Sequence, residues 1–455
     1  MNIKTLAITC LFIPLLGTGC TDTPQTKQPE TSPILVERPP MGWNSWICFG
    51  TSVTENEVKA NADFMAEHLK PLGWEYIVID AGWYAPGMLT LEDYESKAPH
   101  QLIDSFGRLI VDPEKFPSSR NGEGLKPIAD YLHGKGLKLG IHIMRGIPIQ
   151  AVEANTPIKG TSYKARDIAN IDSQCKWYFG FYGIDMSKPG AQEYYNSIFE
   201  LYESWGVDYV KADDLLSPVY ACDEIDAIAQ AARKVKRPIV LSLSPGPAPV
   251  ENVRHLQSVA QLWRISEDFW DNWEALKAQF PLCRKWQKYI VKGHWPDADM
   301  LPVGPMAQRA MRGAPRMSHF TPDEQYTMFT LWAMFRSPLM VGCNLPEIDD
   351  FTLSLITNQE VIDINQRSKG NRELFETDGI IAWYAQSEDE TAHYIAIFNT
   401  TDTAIEDYTF PLQAINYIGD GHITDLWKNI PVEIHNNAVT FNIPAHGVKL
   451  MKLTK

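Results

Sequence analysis

The sequence predicts an α/β protein in which a (β/α)8 barrel is followed by a C-terminal antiparallel β-sandwich. Eight short β-type runs alternate with helical segments over roughly 320 residues, enough for a barrel of eight such units. No Gly-x-Gly-x-x-Gly or P-loop motif follows any run, so nothing favours an open, nucleotide-binding sheet. Six further runs near the C-terminus are separated by turns rather than helices, which is typical of antiparallel sheets.

The barrel strands are predicted at eight apolar runs: 42–46, 76–80, 137–143, 208–213, 238–244, 261–266, a weak run near Asp299, and 338–342. Between them, segments such as 55–69 and 191–206 carry apolar residues three and four positions apart, as helices packed on a sheet do. Strong hydrogen-bonding side chains stand at or just past the strand ends: Asp80, His142, Asp213, Ser244 and Arg264. Because the carboxyl ends of barrel strands converge on one face, we expect these side chains to lie together there.

The C-terminal domain is predicted from about Glu373 onwards, where short alternating runs replace the strand–helix alternation. The runs are 380–386, 393–399, 408–412, 422–427, 438–443 and 448–453. They carry no dense set of ionisable residues, so a structural or sugar-contacting role is expected. The predicted boundaries are 1–20 for a signal peptide, 21–36 for a tether, 37–370 for the barrel and 371–455 for the β-domain.

The first 20 residues resemble a bacterial lipoprotein signal. Lys4 precedes an apolar stretch at 6–16, and small residues lead to Cys20, where lipid would be attached. The Pro- and Thr-rich segment that follows cannot bury a core and is typical of a flexible tether. We therefore expect an exported, lipid-anchored bacterial protein, periplasmic or at the outer-membrane surface, that touches the membrane only through Cys20.

Composition excludes two classes of function. The chain has 455 residues, and 41 basic against 56 acidic side chains give a net charge of -15 without a basic cluster, which argues against nucleic-acid binding. Beyond the N-terminus no apolar run reaches the roughly 18 residues of a membrane span, which excludes a multispanning membrane protein. Seven irregularly spaced Cys without a Cys-x-x-Cys motif indicate neither a zinc site nor a disulfide framework.

The fourth strand contains the first candidate pair of reactive residues. Lys211 and Asp213 are two residues apart and therefore point to the same face of the strand. The ammonium would keep the carboxylate ionised at neutral pH, as a carboxylate nucleophile requires. The spacing alone fits a structural ion pair at a strand end at least as well as it fits a nucleophile and its neighbouring cation.

The segment 262–273 contains the second candidate site. It places Glu267, Asp268 and Asp271 among Trp and Phe residues. A carboxyl group against aromatic walls is desolvated, its pKa rises, and it then suits a general acid. The spacing does not select among the three carboxylates, and a helix start with solvated acids is the simpler alternative.

Two carboxylates at a Trp-lined site are the arrangement of glycoside hydrolysis, but two other classes remain open on the residues alone. A metal-dependent hydrolase would use Asp213, Asp214, Asp297 and Asp299 as oxygen ligands, although the sequence lacks a His-Glu-x-x-His motif. A sugar-binding protein without catalysis would need the same aromatic cleft.

Taken together, these motifs resemble glycoside hydrolase family 27, which contains α-galactosidases and α-N-acetylgalactosaminidases. The similar stretches stay in order along most of the chain: MGWNSW (41–46), DAGWY (80–84), DYVKADD (208–214), WRISEDFWDNW (263–273), GHWPDADML (293–301) and SPLMVGCNL (337–345). The resemblance implies a (β/α)8 barrel with a C-terminal antiparallel β-domain. It also implies an exo-acting retaining glycosidase that needs neither a cofactor nor a metal.

The resemblance further implies roles for individual residues. Asp213 becomes the nucleophile, and Asp268, rather than Glu267 or Asp271, becomes the general acid/base. Substrate-binding roles fall on Trp46, Asp80, Lys211, Ser244, Arg264 and Asp299. The implied substrates are oligosaccharide or polysaccharide side chains with terminal galactose-configured sugars.

Departures from the family pattern leave the preferred sugar open. Ala81 stands where α-galactosidases usually have a second Asp, so a hydrogen-bond acceptor is missing at the C4/C6 end of galactose. β-L-Arabinopyranose lacks the C6 group and therefore becomes an alternative substrate to α-D-galactose. Ser244 replaces a usual Glu and resembles the α-N-acetylgalactosaminidase branch, while His142 replaces Tyr and Leu215 a Cys. We expect α-galactosidase activity first, with the other two as alternatives. The insertion 84–121 is expected to contact the leaving group.

Overall fold

The computed structural model describes residues 35–87, 100–309, 313–417 and 421–454. It contains eight parallel strands: β1 Met41–Asn44, β2 Tyr76–Ile79, β3 Lys138–Met144, β4 Tyr209–Asp213, β5 Val240–Leu243, β6 Leu262–Arg264, β7 Trp295–Asp297 and β8 Leu339–Val341. Their spatial order is β8-β1-β2-β3-β4-β5-β6-β7. A parallel bridge between Leu301 and Val341 links the segment after β7 to β8 and closes the ring. The predicted barrel is confirmed.

The seventh strand lies a few residues before the position expected from the sequence. It spans Trp295–Asp297, whereas the weak run was expected near Asp299. Pro296 removes a backbone donor and leaves a single large apolar residue in the strand, so the pattern is too short to locate it. Asp299 itself follows in a turn with a left-handed φ of 84°.

The helices around the barrel follow the predicted alternation with the strands. They are α1 Trp46–Phe49, α2 Glu55–Phe64, α3 Lys126–Gly134, α4 Ile149–Ala154, α5 Ala165–Ile168, α6 Ala191–Trp205, α7 Cys222–Lys234, α8 Val253–Val259, α9 Trp273–Trp286, α10 Pro322–Phe335, α11 Asp350–Ile356 and α12 Gln359–Arg367. Thr54 and Glu57 form a capping box at the start of α2, and Thr321 and Glu324 form one at α10. Gly206, with a φ of 81°, ends α6.

Alternate residues of the barrel strands belong to different apolar clusters. One cluster includes Trp43, Ile77 and Leu139 together with residues of the surrounding helices. The other includes Tyr76 and Tyr209, whose ring centroids are 5.5 Å apart although β3 lies between their strands, so this cluster fills the barrel interior. Because side chains alternate with a period of two, residues in step with Tyr76 and Tyr209 also point inward.

The C-terminal domain consists of β9 Ser368–Thr377, β10 Ile380–Ser387, β11 Ala392–Asn399, β12 Ile405–Pro411, β13 His422–Asp425, β14 Ile430–Val432, β15 Ala438–Ile443 and β16 Val448–Thr454. Six strands form an antiparallel sheet in the order β9-β10-β11-β16-β13-β14, and β12 pairs with β15. Ile395 and Ile397 of the large sheet share one apolar core with Phe410 and Val439 of the small one. The predicted sandwich is therefore confirmed.

Strands β9 and β14 were not expected from the sequence. β9 begins directly after α12, ahead of Glu373, and its side chains are mostly half-buried or exposed. Both strands are edges of the large sheet, and edge strands commonly carry charged and polar residues instead of a clean apolar alternation. Their composition therefore resembles that of a loop.

The β-domain packs against helices α9 and α10 of the barrel, and the described residues form one compact unit. Aromatic pairs span the contact, with ring centroids 5.0 Å apart for Phe280–Phe398, 4.7 Å for Tyr326–Trp427 and 3.8 Å for Trp273–His446. Trp427 Nε1 also donates to Thr330 Oγ1 over 2.8 Å. The orientation of the β-domain on the barrel is therefore fixed by packed side chains.

Three predictions concern residues that lie wholly or partly outside the described ranges. The signal peptide 1–20 with Cys20, and the tether up to residue 34, belong to this part of the chain, as do residues 88–99 of the insertion. Within the described ranges, no helix has both the length and the apolar character needed to cross a membrane. Among the Cys residues that the structure describes, four are buried with free thiols: Cys48, Cys175, Cys283 and Cys343.

Candidate active site

Polar side chains line the barrel interior at the carboxyl ends of the strands. Six of them are in step with inward-facing apolar residues deeper in their strands: Asp80, Lys211, Asp213, Ser244, Arg264 and Asp297. The other two, Asn44 and His142, pair in register with Val78 and Lys211 of the neighbouring strands. Most of them are buried. Polar groups removed from water must find hydrogen-bond partners, and their partners define the geometry of the site.

Lys211 and Asp80 form a buried ion pair between β4 and the end of β2. Lys211 Nζ lies 2.9 Å from Asp80 Oδ2, and Asn44 Nδ2 donates to the same oxygen over 2.7 Å. Burial alone would raise the pKa of Asp80, but the Lys211 charge and the surrounding hydrogen-bond donors hold that pKa well below its usual range. Lys211 therefore bonds directly to Asp80 and acts on Asp213 through its charge.

Asp213, at the end of β4, accepts three hydrogen bonds. His142 Nε2 lies 3.1 Å from Oδ2, while the Ser244 hydroxyl and the Asp214 N–H donate to Oδ1 over 2.9 and 3.0 Å. Burial alone would raise the pKa of Asp213, but His142, Lys211 and Ser244 outweigh it and the pKa is lowered. This carboxylate is held ionised and in one orientation, as a nucleophile requires.

Arg264 organises the opposite side of the site. Its Nη1 lies 2.8 Å from Asp299 Oδ1, and the N–H of Phe269 donates to Asp299 Oδ2 over 2.7 Å. The guanidinium also lies 3.4 Å from Asp268 Oδ1. Arg264 has 2% of its side chain exposed whereas Asp268 has 48%, so Asp268 lies between the buried cation and open solvent. Burial raises the pKa of Asp299 to about 6 despite the Arg264 charge.

The structure separates the three carboxylates that the sequence left equivalent. Asp271 is buried, and it accepts hydrogen bonds from Arg316 Nη2 over 2.9 Å and from the His319 N–H over 2.8 Å. Glu267 is exposed on the surface. Of the three, Asp268 is the one that contacts the buried cation of the barrel interior.

The two sides of the site belong to one cluster of charges. Burial alone would lower the pKa of Arg264, but Asp299, Asp268, Asp297 and Asp213 together raise it. Asp213, at the end of β4, and Asp268, in the loop after β6, therefore both act on the same guanidinium.

Trp46 and Ser244 complete the set of residues inferred from the sequence. The N–H of Trp46 donates to Asn44 Oδ1 over 2.8 Å, and Asn44 in turn bonds to Asp80, so Trp46 begins α1 beside the Asp80–Lys211 pair. Ser244 is buried and donates to Asp213. Asp297 accepts the N–H of Asp299 over 2.8 Å and so shapes the turn that carries Asp299.

Sequence reasoning missed a buried network directly behind Asp213. Arg145 donates its N–H to the Asp213 carbonyl over 3.0 Å, while its guanidinium pairs with Asp214 at 2.8 Å and with Glu224 at 2.6 Å. Burial raises the pKa of Asp214 to about 6 despite Arg145. The adjacent acids Asp213 and Asp214 were a visible signal, but nothing in the spacing identified Arg145 as their partner.

The four aspartates proposed as metal ligands do not share one ligand set. Asp213 is bonded to His142 and Ser244, Asp214 pairs with Arg145, and Asp299 pairs with Arg264. Their oxygens are thus directed to cations and donors of the protein itself. This donor arrangement does not fit a carboxylate metal site.

Comparison with known proteins agrees with this geometry. Residues 38–170 and 183–367 match the family described as alpha galactosidase A, and residues 377–453 match the alpha galactosidase C-terminal beta sandwich domain. The chain belongs to glycoside hydrolase family 27. It is therefore a glycoside hydrolase, and the predicted family resemblance is confirmed.

Relatives of known activity cover nearly the whole chain. A family 27 β-L-arabinopyranosidase from Geobacillus stearothermophilus is 44% identical, with a TM-score of 0.90 over 92% of this chain and 97% of that one. Alpha-galactosidase A of Cellvibrio japonicus is 29% identical over 92% of this chain and 93% of its own length. The alpha-galactosidase of Cyamopsis tetragonoloba is 26% identical over 92% of this chain and 87% of its own length.

The hydrogen bond from Ser244 to Asp213 generates a pH prediction. The variant Ser244→Ala removes one of the interactions that lower the pKa of Asp213, so this pKa should rise. A carboxylate nucleophile must be ionised, so the predicted role of Asp213 implies that the acidic limb of kcat/KM moves to higher pH. The measurement is kcat/KM against pH on a nitrophenyl glycoside of a galactose-configured sugar.

The matched control is Ser204→Ala, which removes an exposed helix hydroxyl that donates to the Leu201 carbonyl. Its pH profile should match that of the wild type. An acidic limb that stays in place in Ser244→Ala would show that the Asp213 ionisation does not limit activity.

Proposed function

We propose that this enzyme is an exo-acting retaining glycoside hydrolase for terminal galactose-configured sugars, with β-L-arabinopyranosides as its preferred substrates. Ala81 is the observation that carries the preference. Its buried methyl group offers no acceptor, and its backbone N–H already donates to Asp80 Oδ1 over 2.8 Å. The hydroxymethyl group at C6 of galactose therefore lacks the partner that a second Asp would provide.

β-L-Arabinopyranose has the ring configuration of α-D-galactose without the C6 group, so it loses nothing at a site without that acceptor. The 44% identical relative is a β-L-arabinopyranosidase, which supports this choice. Asp80 remains available as an anionic acceptor for ring hydroxyls.

α-Galactosidase activity, ranked first from the sequence, is the second candidate. The curated relatives named above carry that name, at 26–29% identity. An α-N-acetylgalactosaminidase is the third, because the small Ser244 leaves room near C2 of the sugar. The three activities share one mechanism and differ in their contacts at C2 and C6.

The first chemical step uses Asp213 and Asp268 together. The Asp213 carboxylate attacks the anomeric carbon while the bond to the leaving oxygen breaks and Asp268 gives that oxygen its proton. The products of this step are a glycosyl ester on Asp213, a free aglycone and an ionised Asp268. His142 and Ser244 support the step by keeping Asp213 ionised and oriented.

The second step reverses these roles for water. Asp268, now ionised, takes a proton from a water molecule, which attacks the anomeric carbon as the ester bond to Asp213 breaks. The sugar leaves with its anomeric configuration retained. The exposure of Asp268 supports this role, because leaving group and water must both reach it.

The remaining inferred residues bind the terminal sugar. Asp80 and Lys211 are a fixed anion and cation that exchange hydrogen bonds with ring hydroxyls, and Arg264 with Asp299 supplies a second such pair. Trp46 provides an aromatic face beside the first pair. These assignments rest on the charges and contacts described above and on the family pattern.

We also propose that the chain is exported and lipid-anchored at Cys20, with residues 21–36 as tether, 37–370 as catalytic barrel and 371–455 as β-domain. The anchor is supported by the order of Lys4, an apolar stretch at 6–16 and small residues directly before Cys20. The change from helix α12, which ends at Arg367, to strand β9, which begins at Ser368, lies three residues before the last boundary.

The sugar preference gives a direct prediction. On matched nitrophenyl glycosides, kcat/KM should be at least about tenfold higher for the β-L-arabinopyranoside than for the α-D-galactoside. Ala81→Asp should lower this ratio by restoring an acceptor for the C6 hydroxyl. Ala81→Val adds volume without an acceptor and should not gain activity on the galactoside. A wild-type preference for the galactoside would reject the arabinopyranoside proposal in favour of the second candidate.

The acid/base role of Asp268 predicts a dependence on the leaving group. Asp268→Ala should lose roughly 100-fold or more on a disaccharide, whose leaving alcohol needs a proton, and much less on an activated nitrophenyl glycoside. Glu267→Ala, the neighbouring exposed carboxylate, should remain near wild type on both, and Asp213→Ala should lose turnover on both. Full disaccharide activity in Asp268→Ala would mean that another group is the acid.

The anchor is tested by expressing the full chain and its Cys20→Ser variant in a bacterial host. The wild type should partition into the detergent phase with the membrane fraction, whereas Cys20→Ser should stay in the aqueous phase. Equal aqueous partitioning of both proteins would exclude the lipid anchor.

A further inference from the structure

Lys115 is a buried cation that the proposed mechanism does not use. Its ammonium donates to three backbone carbonyls, those of Thr51 over 2.8 Å and of Gly82 and Ala85 over 2.9 Å each. An ammonium has three N–H donors, so every one of them has an acceptor. A buried charge is tolerated only when it is paired in this way, which makes the arrangement specific to a lysine.

The three carbonyls belong to the two loops that carry part of the proposed sugar site. Thr51 lies in the loop after β1, which begins with Trp46 in α1. Gly82 and Ala85 lie in the loop after β2, directly beyond Asp80 and Ala81. The Lys115 ammonium thus joins the loop that begins with Trp46 to the loop that carries Asp80 and Ala81.

The two loops are in direct contact at this point. Gly82 has a left-handed φ of 94°, and a Cβ added there would lie 2.5 Å from the Thr51 Cβ, so no side chain fits between them. The same turn continues to Trp83, whose Nε1 donates to the His142 carbonyl over 2.8 Å. A displacement of this turn would therefore also reach the residue that bonds to Asp213.

Lys115 is itself held in place by its own segment. Its carbonyl accepts the Glu55 N–H over 2.9 Å, and the Asp112 N–H donates to the Trp83 carbonyl over 2.8 Å. Burial lowers the pKa of Lys115 to about 8, and the charge of Asp112 works in the opposite direction. Of the other titratable groups nearby, Glu55 bonds to Lys59 and the Ser118 N–H, and Tyr84 is buried in the loop after β2.

We propose that Lys115 is a positioning residue for sugar binding, which sets the spacing between the loop of Trp46 and the loop of Asp80 and Ala81. This role rests on the proposed function of those three residues. Loss of the Lys115 contacts should change the affinity for the terminal sugar more than the rate of the chemical step, because Asp213 and Asp268 are held by other partners. Loss of one ammonium proton leaves two donors for three carbonyls, so the loops loosen as pH rises through about 8.

The test measures kcat and KM on nitrophenyl β-L-arabinopyranoside between about pH 6 and pH 9. Wild-type KM should rise as the pH passes about 8. Lys115→Met, which keeps the length of the side chain but not the charge, should raise KM about tenfold at neutral pH with a much smaller change in kcat. Its KM should no longer depend on pH in this range. Lys126→Met, an exposed lysine paired with Asp130, is the matched control and should behave as wild type.

Asp112→Asn keeps Lys115 and removes the charge that raises its pKa, so the rise in KM should move to lower pH. This variant decides the question even where Lys115→Met fails to fold. A wild-type KM without an alkaline rise, or one that Asp112→Asn does not shift, overturns the proposal. So does a folded Lys115→Met with a lower melting temperature and an unchanged KM.

The two proposals fail in different ways. A wild-type enzyme without turnover of any galactose-configured glycoside would refute the proposed function. Normal wild-type turnover with KM unchanged in Lys115→Met and Asp112→Asn would refute the role of Lys115 alone.

Discussion

The proposed active site at the barrel mouth depends on buried cations whose charges are compensated by carboxylates at or beyond the ends of other strands. Lys211 pairs with Asp80, and Arg264 pairs with Asp299 and contacts Asp268. Breaking a buried pair by removing one partner leaves an uncompensated charge and typically costs about 3–5 kcal/mol. Pairing and burial together set the charge state of each carboxylate: the pKa of Asp80 and of Asp213 is lowered, whereas burial raises the pKa of Asp299 despite its pairing with Arg264. A single ring of strands thereby holds acids of different strength within one site.

Much of the architecture followed from the sequence because strand and helix periods are local properties. The alternation of residues in β4 correctly placed Lys211 and Asp213 on one face. The convergence of the carboxyl ends of barrel strands on one face correctly predicted that the polar side chains there lie together. The partner of Lys211 was not predictable, because Asp80 lies 131 residues away. Arg145 and Lys115 were invisible for the same reason: their partners are set by folding and not by spacing.

Two details of the candidate site needed both sources of information. From spacing alone, Asp268 and Asp271 were alternative candidates for the general acid. The structure shows that Asp271 already accepts hydrogen bonds from Arg316 and from the His319 N–H. The sequence likewise showed Ala81 in place of an acid. The structure adds that the Ala81 side chain is buried and that its N–H donates to Asp80, so the residue presents only a methyl group where an acceptor is missing. Edge strands such as β9 escaped prediction because charged residues are tolerated there.

The stacking of His446 on Trp273 has a consequence for exchanging parts between family members. Trp273 lies five residues after Asp268, and its indole lies parallel to the His446 ring of the β-domain, within 9°. A barrel stripped of its sandwich would expose Phe280 and the Trp427-binding face of α10 to water. The two domains of this chain therefore cannot be exchanged independently. A chimera with a β-domain from another family member also needs the aromatic residues of the barrel that match the new interface.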